Sequence, residues 1–539
     1  MNVADLFFDL LFVAAAYNTG NIIKNSPTWR GLLYFLGTFL PMTDIWQNKL
    51  YYEARYIVKD DLYHRLTDTA IVLVVAAAVL HIRPVAVLSD PRGNTEMFVF
   101  CLAQLVACLL QFIAEIELYM CAKGDRTAIQ KGALRTVQMR ILPFLCFLSA
   151  AIVAGYYYYD TDDSTNSGSG SYRRVLAGDD GTASTYNNSN NSTTTTTNDY
   201  GEYDTRPFQS DVPIWLCLAA PIVQSLSFVA SIQWFFPNDG SHKQMFVPIN
   251  IDFLIHRNGE WTMLLLGEGI LSLLIVDVTE GKDYYTTFYS GLLTMVLLQY
   301  LHFRSQPHDP DHHACRRDKN AGTWWVIFNE IYSAALIVVG VSFKLFLFEF
   351  GYDEPERRLQ RVDYLDTSRM LAGDSGDAYL STEQRRQNIA NLFCGGLAVA
   401  WVCLDTMTLL HFGFGGIQRI TCPRTKKTKL KAVALLVARA VLLCFVALLG
   451  RFETNPDRLA VWSLVAVVLQ LVLRQIGGMY FSNEEHNSFS DETNDHHTSS
   501  DGAHPGKKAN VDPEEGKWPN ITHAVAIPAE AVPNTDKTT

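Results

Sequence analysis

The chain has 539 residues, of which 48% are hydrophobic and only 18% are charged, and its formal net charge is −11 at pH 7. The acidic excess falls largely in polar segments between or after the apolar stretches, so it describes solvated chain and gives no indication of nucleic-acid binding. Several apolar stretches approach the roughly 20 residues needed to cross a bilayer, which favours an integral membrane protein over a soluble one.

Apolar stretches of this length predict an all-α polytopic transmembrane bundle of about twelve helices, with ten or eleven left open. The second helix is the least hydrophobic because it contains Pro41, Asp44 and Gln47. A division into two six-helix halves is an open alternative for the arrangement. The predicted helices are 6–24, 30–54, 62–82, 95–121, 133–158, 209–236, 251–277, 284–304, 323–350, 387–413, 430–452 and 458–481.

Polar segments divide the bundle. Residues 160–206 are rich in Ser, Thr and Asn, and residues 482–539 are equally poor in apolar side chains, so both have too little apolar area to offset the entropy of ordering and are predicted to be disordered. The chain is therefore expected to hold five helices in 1–159, an insert at 160–206, seven helices in 207–481 with a polar loop near 351–386, and a tail at 482–539.

Lysine and arginine in the short loops set the expected orientation. They are concentrated in the loops that share a side with the amino terminus, which predicts cytoplasmic termini and an extracytoplasmic insert. The insert contains glycosylation acceptor patterns at Asn187, Asn190 and Asn191. We therefore expect a glycoprotein of the plasma membrane or of a secretory-pathway membrane.

Ionisable residues within the apolar helices are the candidate functional residues, because each costs about 2.5–3.5 kcal/mol at the bilayer centre on insertion scales. Asp9 and Glu268 have apolar residues on both sides, and we predict that they line a common polar site that exchanges a proton or binds a cation. A purely structural role as packing locks is the alternative for both. The other candidates for this site are Asp44, His256, Arg257, Glu260 and Glu330.

The sequence gives little support for metal binding or for soluble enzymatic catalysis. The segment from His308 to His313 has ligand-type side chains, but Pro310 and the spacing favour a polar loop over a metal site. No metal or cofactor is expected, and no soluble catalytic motif is present.

Three segments resemble the bacterial low temperature requirement A (LtrA) family of membrane proteins. Residues 5–13, DLFFDLLFV, are similar to the family's opening motif, and residues 46–65 are similar to its second. Residues 252–268, DFLIHRNGEWTMLLLGE, resemble a third motif, although His256 stands where the family has glutamate. The insert, the loop near 351–386 and the tail are departures that suggest a eukaryotic relative. The resemblance implies a helical membrane protein and implies no substrate.

The leading functional hypothesis is a secondary transporter or proton-coupled permease for an unknown small solute or ion. The alternative is a membrane scaffold, receptor or lipid-interacting protein, in which buried carboxylates fix helix packing. An intramembrane enzyme ranks third, because no nucleophile or metal cluster accompanies the carboxylates.

Overall fold

The computed structural model describes residues 3–56, 62–89, 95–121, 127–165, 211–234, 249–276, 281–307, 312–317, 319–351, 382–421 and 426–495. Within these ranges the regular secondary structure is entirely helical, which confirms the predicted all-α class. The fourteen described helices are α1 (Val3–Asn25), α2 (Trp29–Arg55), α3 (Leu62–Leu80), α4 (Val85–Leu88), α5 (Thr95–Cys121), α6 (Thr127–Thr165), α7 (Val212–Trp234), α8 (Ile251–Leu274), α9 (Lys282–Ser305), α10 (Ala314–Arg317), α11 (Lys319–Gly351), α12 (Thr382–Thr421), α13 (Lys426–Phe452) and α14 (Pro456–Asp495).

Each of the twelve predicted helices corresponds to a long helix in the described part of the chain. The largest differences are at the ends: α14 continues to Asp495 and α12 to Thr421, beyond the predicted ends at 481 and 413. The short helices α4 and α10 were not predicted, since four residues carry no readable apolar period. The glycosylation acceptors Asn187, Asn190 and Asn191 lie outside the described residues.

Eight of the described helices are long and apolar enough to cross a membrane by length and composition. A count of twelve spanning helices therefore stays a prediction. Helix α8 is not among the eight, and charged residues such as Asp252, Arg257 and Glu268 interrupt its sequence. The candidate spans are Tyr63–Leu80, Thr95–Cys121, Ile129–Tyr158, Val212–Ala230, Asn320–Phe348, Glu383–His411, Val433–Phe452 and Pro456–Ile476.

Helix α11 lies at the centre of the bundle. Of its apolar window, 89% is buried within the protein, against 17% for α13. Helices α1, α2, α8 and α12 all pack on α11. The apolar side chains exposed on α13, among them Leu436, Val437 and Val441, are suited to lipid contact.

Residues Met1–Met479 form one compact unit, so the six-helix halves considered from the sequence do not form separate bodies within it. Helix α1 packs on α8 and α11, and α2 packs on α7, so early and late helices interleave. In the second unit, Tyr480–Thr539, the structure describes only the last part of α14.

Candidate functional site

The buried ion pair between Asp9 on α1 and Arg257 on α8 joins two of the sequence motifs. Arg257 Nη1 donates to Asp9 Oδ2 at 2.8 Å, and Nη2 donates to Asp9 Oδ1 at 3.1 Å, so the guanidinium holds the carboxylate with two bonds. The Trp46 indole N–H on α2 donates to the same Oδ1 at 2.9 Å. The Asp9 side chain is only 1% exposed and that of Arg257 only 6%. This two-pronged charged pair fixes the relative positions of three helices.

Polar and aromatic contacts continue from this pair toward α11. Trp46 stacks on Trp261 with ring centroids 4.4 Å apart. The Trp261 indole N–H donates to Ser333 Oγ at 3.0 Å, and Asn329 Nδ2 donates to Asn258 Oδ1 at 2.7 Å. The motif residues of α2 and α8 therefore form a connected, buried network with α11.

The sequence of α8 accounts for this arrangement. Asn250 caps the helix by accepting from the Phe253 N–H, and its own backbone N–H donates to the Ala54 carbonyl at the end of α2. The buried positions then recur every three or four residues, which places them on one side of the helix facing α1, α2 and α11. These buried positions are Leu254, Arg257, Asn258, Trp261, Thr262, Leu265, Leu266, Glu268, Gly269, Ser272 and Leu273.

Glu260 and His256 lie at the edge of the same network. Arg257 Nη1 also donates to Glu260 Oε2 at 2.9 Å, so the pairing expected for residues three apart on a helix is present. His256 Nε2 lies 3.1 Å from Glu260 Oε1, but its side chain is 70% exposed. Arg257 therefore has two carboxylate partners, of which Asp9 is the more deeply buried.

The structure gives Glu268 a different set of partners from Asp9. Ser272 Oγ donates to Glu268 Oε1 at 3.1 Å, and the cation that acts electrostatically on Glu268 is Lys344 on α11. Glu268 follows Arg257 by three helical turns, which separates it from the Asp9 pair by roughly 16 Å along α8. Asp9 and Glu268 are therefore held by different partners, and the common site predicted for them stays a prediction.

Asp44 and Glu330 instead line a partly open cavity with about 760 Å³ of space, including its mouth. Five helices contribute to its wall: α2, α5, α6, α7 and α11. The polar and charged residues of the wall are Asp44, Gln47, Asn48, Tyr51, Tyr52, Arg55, Tyr56, Glu115, Thr136, Arg140, Gln224, Ser225, Thr323 and Glu330.

The carboxylates of this cavity differ in how they are paired. Gln224 Nε2 donates to Asp44 Oδ1 at 2.7 Å, so Asp44 is held by a neutral amide. Glu115 Oε1 lies 4.0 Å from Arg140 Nη2, and both side chains are 5% exposed. Within the described part of the chain, Glu330 has no hydrogen-bond or ion-pair partner, and the charged group that acts on it is Asp44. Arg140 also acts electrostatically on Asp44, so the charged residues of the wall are three carboxylates, Asp44, Glu115 and Glu330, and two arginines, Arg55 and Arg140.

The cavity lies at one end of the bundle. Helices α2, α5 and α7 end there, whereas α6 and α11 begin there. The loops at this end carry the basic residues from which the sequence predicts the cytoplasmic side. In that orientation the cavity is reached from the cytoplasm.

Several cavity residues were not found by sequence reasoning. Arg140 was interpreted as a topology signal, and Gln224 was not singled out, although a glutamine within an apolar span is a polar residue that needs a partner. The Gln224 amide donates to Asp44 Oδ1 and also to Asn48 Oδ1, the latter at 2.9 Å, so it has two acceptors on α2.

The histidine-rich segment is only partly described, since residues 308–311 lie outside the described ranges. His313 is fully buried, and its Nδ1 accepts from the Cys315 N–H at 3.3 Å. Burial lowers the pKa of His313 to about 4, so the ring stays neutral. Among the described residues there is no group of three His, Cys, Asp or Glu side chains placed to hold a metal ion.

The fold and the buried charges define a multi-pass helical membrane protein. Residues 2–159 match the family model described as bacterial low temperature requirement A protein (LtrA), so this part of the chain is of the LtrA type and the resemblance is confirmed there. The third motif, on α8, lies beyond the matched residues, but its Arg257 binds Asp9 of the first motif. Comparisons with the curated proteins and with the solved structures found no match.

Proposed function

We propose that this protein is a secondary transporter, a proton- or cation-coupled permease, and that Asp44 and Glu330 are its coupling carboxylates. The observation that carries the proposal is the cavity, whose wall holds both carboxylates. Among the described residues, Asp44 accepts from the Gln224 amide and has Arg140 as its nearby cation, whereas the charged group that acts on Glu330 is Asp44. A negative charge on Asp44 repels a negative charge on Glu330. Binding of a proton or a cation relieves that repulsion, and exchange of one for the other is the simplest coupling step.

The position of the cavity supports the same function. Glu330 lies on α11, the most buried candidate span, beside Asn329 of the Asp9–Arg257 network. A binding site enclosed by helices from early and late parts of the chain is the arrangement that alternating-access transporters use. An ionisable residue in such a place is a functional-site hypothesis by default.

The test is proton movement in liposomes that contain the purified full-length protein and a trapped pH-sensitive dye. A gradient of sodium or of tetramethylammonium should change the internal pH faster than in protein-free liposomes. Glu330→Gln and Asp44→Asn keep the side-chain shape and remove the titratable charge, so they should lower the response to the protein-free level. Glu383→Gln is the matched control, because Glu383 is exposed and does not line the cavity. A parent protein indistinguishable from empty liposomes, in either gradient, would refute the proposal.

A scaffold or receptor role is the second candidate, and the Asp9–Arg257 pair is the observation that favours it. A buried carboxylate held by Arg257 and Trp46 is what a packing lock requires. This role predicts a stable, abundant protein with no proton movement in the liposome experiment, so the same measurement separates the two.

We also propose that both termini are cytoplasmic and that the 160–206 insert is extracytoplasmic and glycosylated. Glycosidase should shift the mobility of the protein expressed in eukaryotic cells, and the shift should be absent when Asn187, Asn190 and Asn191 are changed to Gln. The tail pattern at Asn520 serves as the control, because it should stay unmodified. A shift that depends on Asn520 would reverse the orientation.

A further inference from the structure

A second charged cluster lies away from the cavity, where α12, α13 and α14 meet. Asp405 on α12 accepts hydrogen bonds from Arg439 on α13 and, at 2.5 Å, from Arg474 on α14. Gln470 Nε2 contacts the same carboxylate at 3.3 Å. One carboxylate therefore faces two guanidinium groups, and the cluster keeps an excess positive charge.

A third arginine adds to this excess. Arg304, in the last turn of α9, donates to the Gln475 side chain, next to Arg474 in the chain. Arg474 Nη1 also donates to the Leu301 carbonyl at 3.2 Å, which ties α14 to α9. Among the described residues, the carboxylate that Arg439 and Arg474 contact is Asp405.

The cluster lies near one end of the membrane-spanning segments. Arg474 is two residues from the end of the span Pro456–Ile476, and Asp405 and Arg439 are each six residues from the corresponding ends of their spans. Six helical residues correspond to about 9 Å, which places the cluster near the boundary between acyl chains and headgroups. Guanidinium groups on long side chains reach toward that boundary.

The surroundings of the cluster face lipid. The side chains of Arg439 and Asp405 are 24% and 33% exposed, so the cluster is accessible from outside the bundle. On the flanking surfaces of α13 and α14, Leu436, Val468 and Leu469 are exposed apolar residues. The basic run from Arg424 to Lys431 begins just before α13 and continues into it, on the side predicted to be cytoplasmic.

We propose that Arg439, Arg474 and Arg304 bind the phosphate of an anionic phospholipid headgroup, with its acyl chains along the apolar face of α13 and α14. Arginine is the residue best suited to two-pronged phosphate contacts, and basic pockets between spanning helices at the cytoplasmic leaflet bind anionic headgroups. Asp405 positions the guanidinium groups of Arg439 and Arg474, and its single negative charge balances only one of their two positive charges. A free phosphate ion has the same charged oxygens as the headgroup, but it has no acyl chains to contact the apolar side chains of α13 and α14.

The experiment is native mass spectrometry of the purified full-length protein, titrated with phosphatidylglycerol or with phosphatidylcholine. The parent should retain phosphatidylglycerol preferentially. Arg439→Gln with Arg474→Gln and Asp405→Asn removes two of the three proposed phosphate ligands together with Asp405, so no unpaired carboxylate remains and Arg304 keeps its charge. This triple variant should lose the preference, whereas Asp405→Asn alone should keep or increase it.

The control is Arg451→Gln with Arg458→Gln, which also removes two arginine charges from α13 and α14, at the opposite ends of these helices. It should bind phosphatidylglycerol like the parent. Equal retention of the two lipids by the parent, or an unchanged preference in the triple variant, would overturn the proposal. Stabilisation of the parent by inorganic phosphate alone, with no lipid preference, would overturn the assignment to a lipid.

Discussion

Arg257→Ala is expected to lower the free energy of unfolding by about 3–5 kcal/mol, because it leaves the Asp9 carboxylate buried without its cation. Asp9 is 1% exposed, and both of its oxygens accept from Arg257. Folded yield in detergent and the thermal unfolding midpoint measure the effect.

Two double variants identify which carboxylate is the principal partner of Arg257. Arg257→Ala combined with Asp9→Asn should recover much of the lost stability, because the amide needs no counter-ion and can still accept from Trp46. Arg257→Ala combined with Glu260→Ala should recover less, since Glu260 is 22% exposed and water can solvate it. Equal recovery in the two double variants would mean that Asp9 is not the principal partner.

Gly340→Val is the other substitution for which we expect a large loss of stability. A Cβ atom at Gly340 would lie 2.8 Å from the Gly269 Cα, so α8 and α11 cross at a distance that only glycine permits. Close crossings between small residues are a main source of helix association in membranes. Valine should push the helices apart and reduce the folded yield.

Gly267→Ala is the control for this crossing, because a Cβ at Gly267 meets nothing within 4 Å. We expect it to behave like the parent. Of the two glycines beside Glu268, it is Gly269 that lies at the close backbone approach. A parent-like Gly340→Val protein would contradict the observed crossing.

The sequence predicted the network around Asp9 better than it predicted the cavity. Charged residues within apolar runs are costly, so Asp9 and Arg257 were recognisable as residues needing partners. Their pairing could not be read from the chain, since it depends on how α1 packs against α8. The three-residue spacing of Arg257 and Glu260 is visible within one helix, whereas a contact across 248 positions is not.

The cavity depends on information that the sequence lacks. Its wall comes from five helices, and the residues that define its charge, Asp44, Glu330 and Arg140, are distant in the chain. Asp44 and Glu330 were candidates because of their cost in a membrane, but nothing in the sequence indicated that they line the same cavity. Glu268 was ranked above Asp44 and Glu330 because its neighbours in the chain are apolar. Those neighbours do not reveal that Ser272 and Lys344 act on Glu268 in the folded protein.

Proton movement in liposomes, compared between Glu330→Gln and Glu268→Gln, tests the assignment of the functional site most directly. Both changes remove one buried titratable charge and keep the shape of the side chain, and they differ in whether the carboxylate lines the cavity. We expect Glu330→Gln to abolish the cation-driven pH change and Glu268→Gln to retain it, with both proteins folded and present in equal amounts. Loss of the response in Glu268→Gln together with its retention in Glu330→Gln would contradict the account and place the coupling residue on α8.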